Sequence, residues 1–164
     1  MTPPIAWDTS LVSRLWPGTP ALAYLEDEAL AGRPLRIPAP VLTEISFGLA
    51  RAAQRDARFA AQLEWIEDLL RHPKVEILAI GREAGFLAGR LRALAHHPPD
   101  RGRRDARTKP ERRVSWLLDL QIAAAAWASG CDVATENNGD FEAIADLLAA
   151  KLGLEPLIVH RSPL

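Results

Sequence analysis

The chain has 164 residues, 48% of them hydrophobic and 25% charged, and a formal net charge of -1. That length suits one domain with a sizeable core, and the composition is ordinary for a soluble globular protein, so disorder is not the default reading. Near-neutral overall charge requires any nucleic-acid contact to come from a local basic surface.

Cys131 is the single cysteine, which excludes an intrachain disulfide and a thiolate zinc site. The segment from Met1 to Trp7 lacks the basic start of a targeting signal, and the apolar run Ile122 to Ala128 is too short to span a bilayer. The expectation is a cytoplasmic protein without a membrane partner.

In chain order, Pro4 to Trp7 reads as a short buried strand that stops at Asp8. Asp8-Thr9-Ser10 starts a helix carrying Leu11, Val12 and Leu15, which Pro17-Gly18 breaks. Ala21 to Leu30 is helical and closed by Gly32, and Leu35 to Ile37 is a strand between prolines. Val41, Leu42, Ile45 and Leu49 recur at helical spacing, as do Leu63, Ile66, Leu69 and Leu70 within Phe59 to Leu70. Val75, Ile77 and Ile80 predict a strand. Glu83 to Leu94 predicts a helix whose Ala84, Gly85, Ala88 and Gly89 allow close packing.

His96 to Arg113 breaks every periodicity and reads as a long surface loop. Trp116 to Ala128 is a strongly apolar helix capped by Gly130, followed by a strand at Asp132 to Thr135. A polar turn leads to Asp140. Phe141 to Leu152 is then a helix closed by Gly153, and Leu157 to Val159 is the last strand. Strands alternating with helices predict an α/β fold with a mainly parallel sheet in one domain, residues 1–164.

Four acids stand in unusual company. Asp119 lies in a helix apolar on nearly all sides, where an unpartnered carboxylate is costly. Asp8 and Asp140 each follow a strand and precede a helix, so both are candidate helix caps. Parallel strands would also bring both to one sheet edge, where ligands bind. Glu44 sits beside Thr43 and Ser46, and local sequence leaves it equally suited to a solvent face. Converging carboxylates repel unless a cation holds them. All-oxygen sites suit Mg²⁺ or Mn²⁺, whose chemistry is phosphodiester or phosphate hydrolysis.

Four blocks resemble the PIN-domain nucleases, specifically VapC-type toxins of bacterial toxin–antitoxin pairs. They are Trp7-Asp8-Thr9-Ser10; Leu42-Thr43-Glu44-Ile45 with Gly48-Leu49; Asp119-Leu120-Gln121-Ile122-Ala123-Ala124; and Thr135-Glu136-Asn137-Asn138-Gly139-Asp140-Phe141. The resemblance covers nearly the whole chain, and the last two blocks are the most specific. It implies a three-layer fold and a Mg²⁺- or Mn²⁺-dependent endoribonuclease. Asp8, Glu44, Asp119 and Asp140 would be catalytic, with Asp8, Asp119 and Asp140 on the metal. Asn137, Thr135, Thr9 and Ser10 would support them. A cognate antitoxin and a homodimer are also implied.

Two features depart from the family pattern. Glu136 stands where relatives commonly carry a basic or neutral residue, and it either adds an acid near the metal or faces water. The loop at about 96–113 is long and basic: Arg101 to Arg113 holds seven basic residues against Asp105 and Glu111. Arg103, Arg104 and Arg107 are therefore candidate RNA contacts, with a solvated loop as the alternative. His72, His96 and His97 show no metal-ligand spacing, and Cys131 reads as a small buried residue. A haloacid-dehalogenase-type phosphatase would need an Asp where Ser10 stands. A non-catalytic PIN-like binding module and an RNA-processing nuclease without a toxin role are the remaining alternatives.

Overall fold

The computed structural model describes residues 3–100 and 107–162. Among the described residues five strands form one sheet: β1 Ile5–Trp7, β2 Leu35–Pro38, β3 Val75–Leu78, β4 Asp132–Thr135 and β5 Val159–Arg161. They lie in the order β3-β2-β1-β4-β5, and every pairing is parallel. Seven α-helices connect them: α1 Thr9–Val12, α2 Pro20–Leu30, α3 Ala39–Ala53, α4 Arg58–Leu70, α5 Arg82–Leu94, α6 Lys109–Ala128 and α7 Asn138–Asp146. A π-helical turn, Leu147–Lys151, extends α7.

Parallel strands need crossover helices, and right-handed crossovers put α1–α4 on one face and α5–α7 on the other. The result is a three-layer α/β fold. The chain leaves β1 toward β2 and later returns to pair β4 on the other side of β1. The boundary between β1 and β4 is thus the topological switch point, where open α/β sheets bind ligands at their carboxyl ends.

Burial explains the elements that read most clearly from the sequence. β4 is buried at all four positions, and Ile122 to Ala126 of α6 are fully buried. Small alanines let this helix pack closely against its neighbours. Gly130, at φ 64°, supplies the left-handed turn that ends α6 and feeds β4.

Several boundaries differ from expectation. The predicted loop at 96–113 stops at Thr108, and α6 starts at Lys109, seven residues before the expected Trp116. Thr108 and Glu111 form a reciprocal capping box, with Pro110 in the first turn. Ile80 lies outside β3 and is exposed, as expected beyond the end of an edge strand. On α5, Ala84 and Ala88 are buried, whereas Gly85 and Gly89 face outward and do not mediate the packing. Helix α7 starts at Asn138, so Asp140 lies inside its first turn and is not the cap. The last strand begins at Val159. Leu157, just before it, is buried as part of the core.

Candidate active site

The site grows from the ends of β1 and β4. These strands are paired in register, Trp7 opposite Ala134, and the ladder continues as the Asp8 amide donates to the Ala134 carbonyl at 3.2 Å. Asp8 therefore leaves β1 beside Thr135 at the carboxyl edge of the sheet.

Asp8 is only 3% exposed. Its Oδ1 accepts from the Ser10 amide at 3.0 Å, the Ser10 hydroxyl at 2.6 Å and the Leu11 amide at 3.4 Å. Its Oδ2 accepts from the Thr135 hydroxyl at 2.6 Å. The cap and site readings of Asp8 are thus compatible: one oxygen caps α1 while the other faces β4.

Two hydroxyls carry the contact onward. Ser10 Oγ also accepts from the Glu136 amide at 2.9 Å, and Thr135 Oγ1 accepts from the Asn137 amide at 2.8 Å. Each Asp8 oxygen is thereby linked through one hydroxyl to one amide of the loop after β4. Asn137, placed by that link, donates from Nδ2 to Asp119 Oδ2 at 3.3 Å. The Thr9 hydroxyl donates to Glu44 Oε2, which ties α1 to α3.

The structure therefore brings Asp8, Thr9, Ser10, Glu44, Asp119, Thr135 and Asn137 into one hydrogen-bonded region. Asp140, in the first turn of α7, lies close enough for its charge to act on Asp119. Burial pushes the Asp119 carboxyl well above the usual range. Glu44, Asp140 and Asp8 push it further, and Arg107 opposes them. Glu44 is raised by burial and by Asp8, against the Thr9 bond and Arg107. Asp8 is raised by burial despite its four donors. These shifts describe like charges gathered in a half-dry place. Such an arrangement costs stability and marks functional sites.

Glu136 does not join the acids. It is exposed and forms an ion pair with Arg14 at 2.6 Å, so it neither adds a donor at the centre nor stands alone in water. Of the candidate RNA contacts, Arg107 is at this site, whereas Arg103 and Arg104 fall outside the described residues. The imidazole of His72 accepts from the Lys74 amide at 3.1 Å, and His96 and His97 stack edge to face.

Sequence reasoning missed one buried acid, Asp132. It opens β4 at 7% exposure, with Oδ2 2.7 Å from His160 Nε2 on β5. Its apolar neighbours gave the same signal as those of Asp119, but its place at the start of the strand sets it at the opposite edge.

Among the described residues no group of three or more His, Cys, Asp or Glu side chains forms a ready-made metal cage. Mg²⁺ does not require one, since it keeps several waters and takes one or two carboxylates directly. The donor set fits such an ion: oxygen ligands throughout, with an excess of negative charge around Asp119 that a cation would relieve.

A family profile described as PIN domain matches residues 5–147. No curated protein matches the chain. Solved structures of similar fold include VapBC2 from Rickettsia felis bound to a promoter DNA fragment, at TM-score 0.60 and 20% identity, covering 96% of this chain and 97% of that one. FitAcB from Neisseria gonorrhoeae gives TM-score 0.58 and 23% identity over 85% and 92% of the two chains. VapBC-5 from Mycobacterium tuberculosis, a toxin–antitoxin member, gives TM-score 0.52 and 25% identity over 99% and 100%.

Proposed function

The chain belongs to the PIN domain family, and from that premise we propose that it is a metal-dependent endoribonuclease, the toxin of a toxin–antitoxin pair. The observation that carries the reading is Asp119. This carboxylate is buried at the switch-point edge among three other acids, and it is tied by Asn137 to a loop that Asp8 anchors. A divalent cation bound there would supply a Lewis acid and a source of activated water for phosphodiester hydrolysis.

In this reading Asp8, Asp119 and Asp140 hold the cation, and Glu44 completes the acidic centre. Ser10 and Thr135 fix the Asp8 carboxylate from both sides, which sets its direction before anything binds. Asn137 aims Asp119 in the same way. Thr9 holds Glu44, so helix α3 delivers its acid in register with β1.

The partner reading follows VapBC-5, whose structure is described as a member of a family of toxin–antitoxin systems. A cognate antitoxin is proposed for this chain on that likeness. A homodimer is proposed as well, on the family likeness alone. No helix among the described residues is long and apolar enough to cross a membrane.

The test expresses the wild type and the Asp119→Asn and Asp8→Asn variants in a bacterium and follows growth and RNA integrity. Arrest with RNA cleavage only for the wild type supports the reading. Equal cleavage by all three overturns it. Cleavage without arrest would favour an RNA-processing role.

A further inference from the structure

The acid centre poses an electrostatic difficulty for its own substrate. Four carboxylates repel a polyanion, and even one divalent cation leaves them in excess. Arg107 stands at this centre, while Arg58, paired with Asp56 at the start of α4, lies on another element.

Arg107 directly precedes Thr108, the N-cap of α6, where the Thr108–Glu111 box fixes the chain. Its Nη1 donates to Ser115 Oγ at 3.1 Å. Ser115 precedes Asp119 by four residues, so their side chains share one helix face with Cβ atoms about 5–6 Å apart. The guanidinium is thus anchored one turn from the buried Asp119, on an exposed residue. Its charge lowers both Glu44 and Asp119, which places it within reach of two acids from different helices.

We propose that Arg107 is the residue that receives an RNA phosphate at the acid centre, holding the backbone beside Asp119 and Glu44. The proposal rests on the ribonuclease reading and adds the residue that admits the substrate. An arginine suits this task because its planar fork bonds two phosphate oxygens at once and cannot lose its charge. The capping box gives the contact a fixed starting point, so little order is lost on binding.

The experiment measures binding of a fluorescein-labelled single-stranded RNA to the full chain by anisotropy, across a salt series in EDTA. The proteins are wild type, Arg107→Ala, Arg107→Lys and, as a control, Arg58→Ala. Loss of one phosphate contact should weaken binding about threefold to tenfold at low salt and reduce the salt slope by about 0.7. Arg107→Lys should restore the slope but not the full affinity, and Arg58→Ala should match the wild type.

Wild-type affinity and slope in Arg107→Ala would overturn the proposal, and so would an equal loss in Arg58→Ala. A second assay separates this from the nuclease reading. RNA binding that depends on Arg107, with no cleavage on adding Mg²⁺ or Mn²⁺, contradicts the nuclease and leaves Arg107 as a phosphate contact. Cleavage with binding indifferent to Arg107 contradicts the contact alone.

Discussion

The two edges of the sheet treat charge in opposite ways. Where the strands begin, each acid has a basic neighbour: Asp132 lies 2.7 Å from the His160 ring, and Glu76 lies 2.8 Å from Arg36 on the adjacent strand. Where the strands end, Asp8, Glu44, Asp119 and Asp140 gather, and the bonds that fix the first three come from hydroxyls and amides. Paired polar groups hold strands together. Like charge collected in a buried place weakens the fold, and folds carry such a cost where they bind something. The lower edge therefore reads as structure and the upper edge as function.

The contrast is broken most sharply by exchanging an acid on each side. Asp119→Asn should lower metal-dependent RNA cleavage at least about 100-fold while making the cation-free protein more stable at neutral pH. The sign follows from its raised carboxyl. Ionisation penalises the folded state, the penalty is absent below the ordinary value of about 3.9, and it is complete above the raised folded value. The stabilisation should accordingly fade as pH falls toward that ordinary value, which melting curves against pH will show. Asp132→Asn should do the reverse, leaving cleavage intact and costing about 1–3 kcal/mol in denaturant unfolding. An inactive but stable Asp132→Asn would erase the distinction between the edges.

Thr135→Val sharpens the same comparison from within the site. It removes the donor to Asp8 Oδ2 and the acceptor of the Asn137 amide, so it should cost about 2–3 kcal/mol and also impair cleavage. A loss of stability with unchanged cleavage would make the hydroxyl a purely structural tie. The smallest effect is expected at the rim. Glu136→Ala breaks an exposed pair with Arg14 and should change stability by no more than about 1 kcal/mol.

How much of this was legible in the sequence varied with the physics involved. Strong burial reads well, so β4, α6 and Asp119 were all found from apolar context. Asp8 read equally as a cap or a site residue because its two oxygens do both tasks, and one chain segment shows only the first. Glu44 needs Thr9 and the packing of α1 on α3 to join the site, contacts made across 35 residues. The beginning of α6 was legible in Thr108-Lys109-Pro110-Glu111, but the surrounding arginines and prolines obscured it. Asp132 differs from Asp119 only in which end of an element it occupies, and that becomes meaningful once the sheet order is known.

We propose that the upper edge collects acids because it binds a divalent cation. The direct measurement is the melting temperature of the wild type and of Asp119→Asn during a Mn²⁺ titration at neutral pH. A saturable rise is expected for the wild type, about 2.7 kcal/mol of added stability when the ion reaches 100 times its dissociation constant, and a much smaller rise for the variant. Equal responses in the two proteins, or none in the wild type, would contradict it.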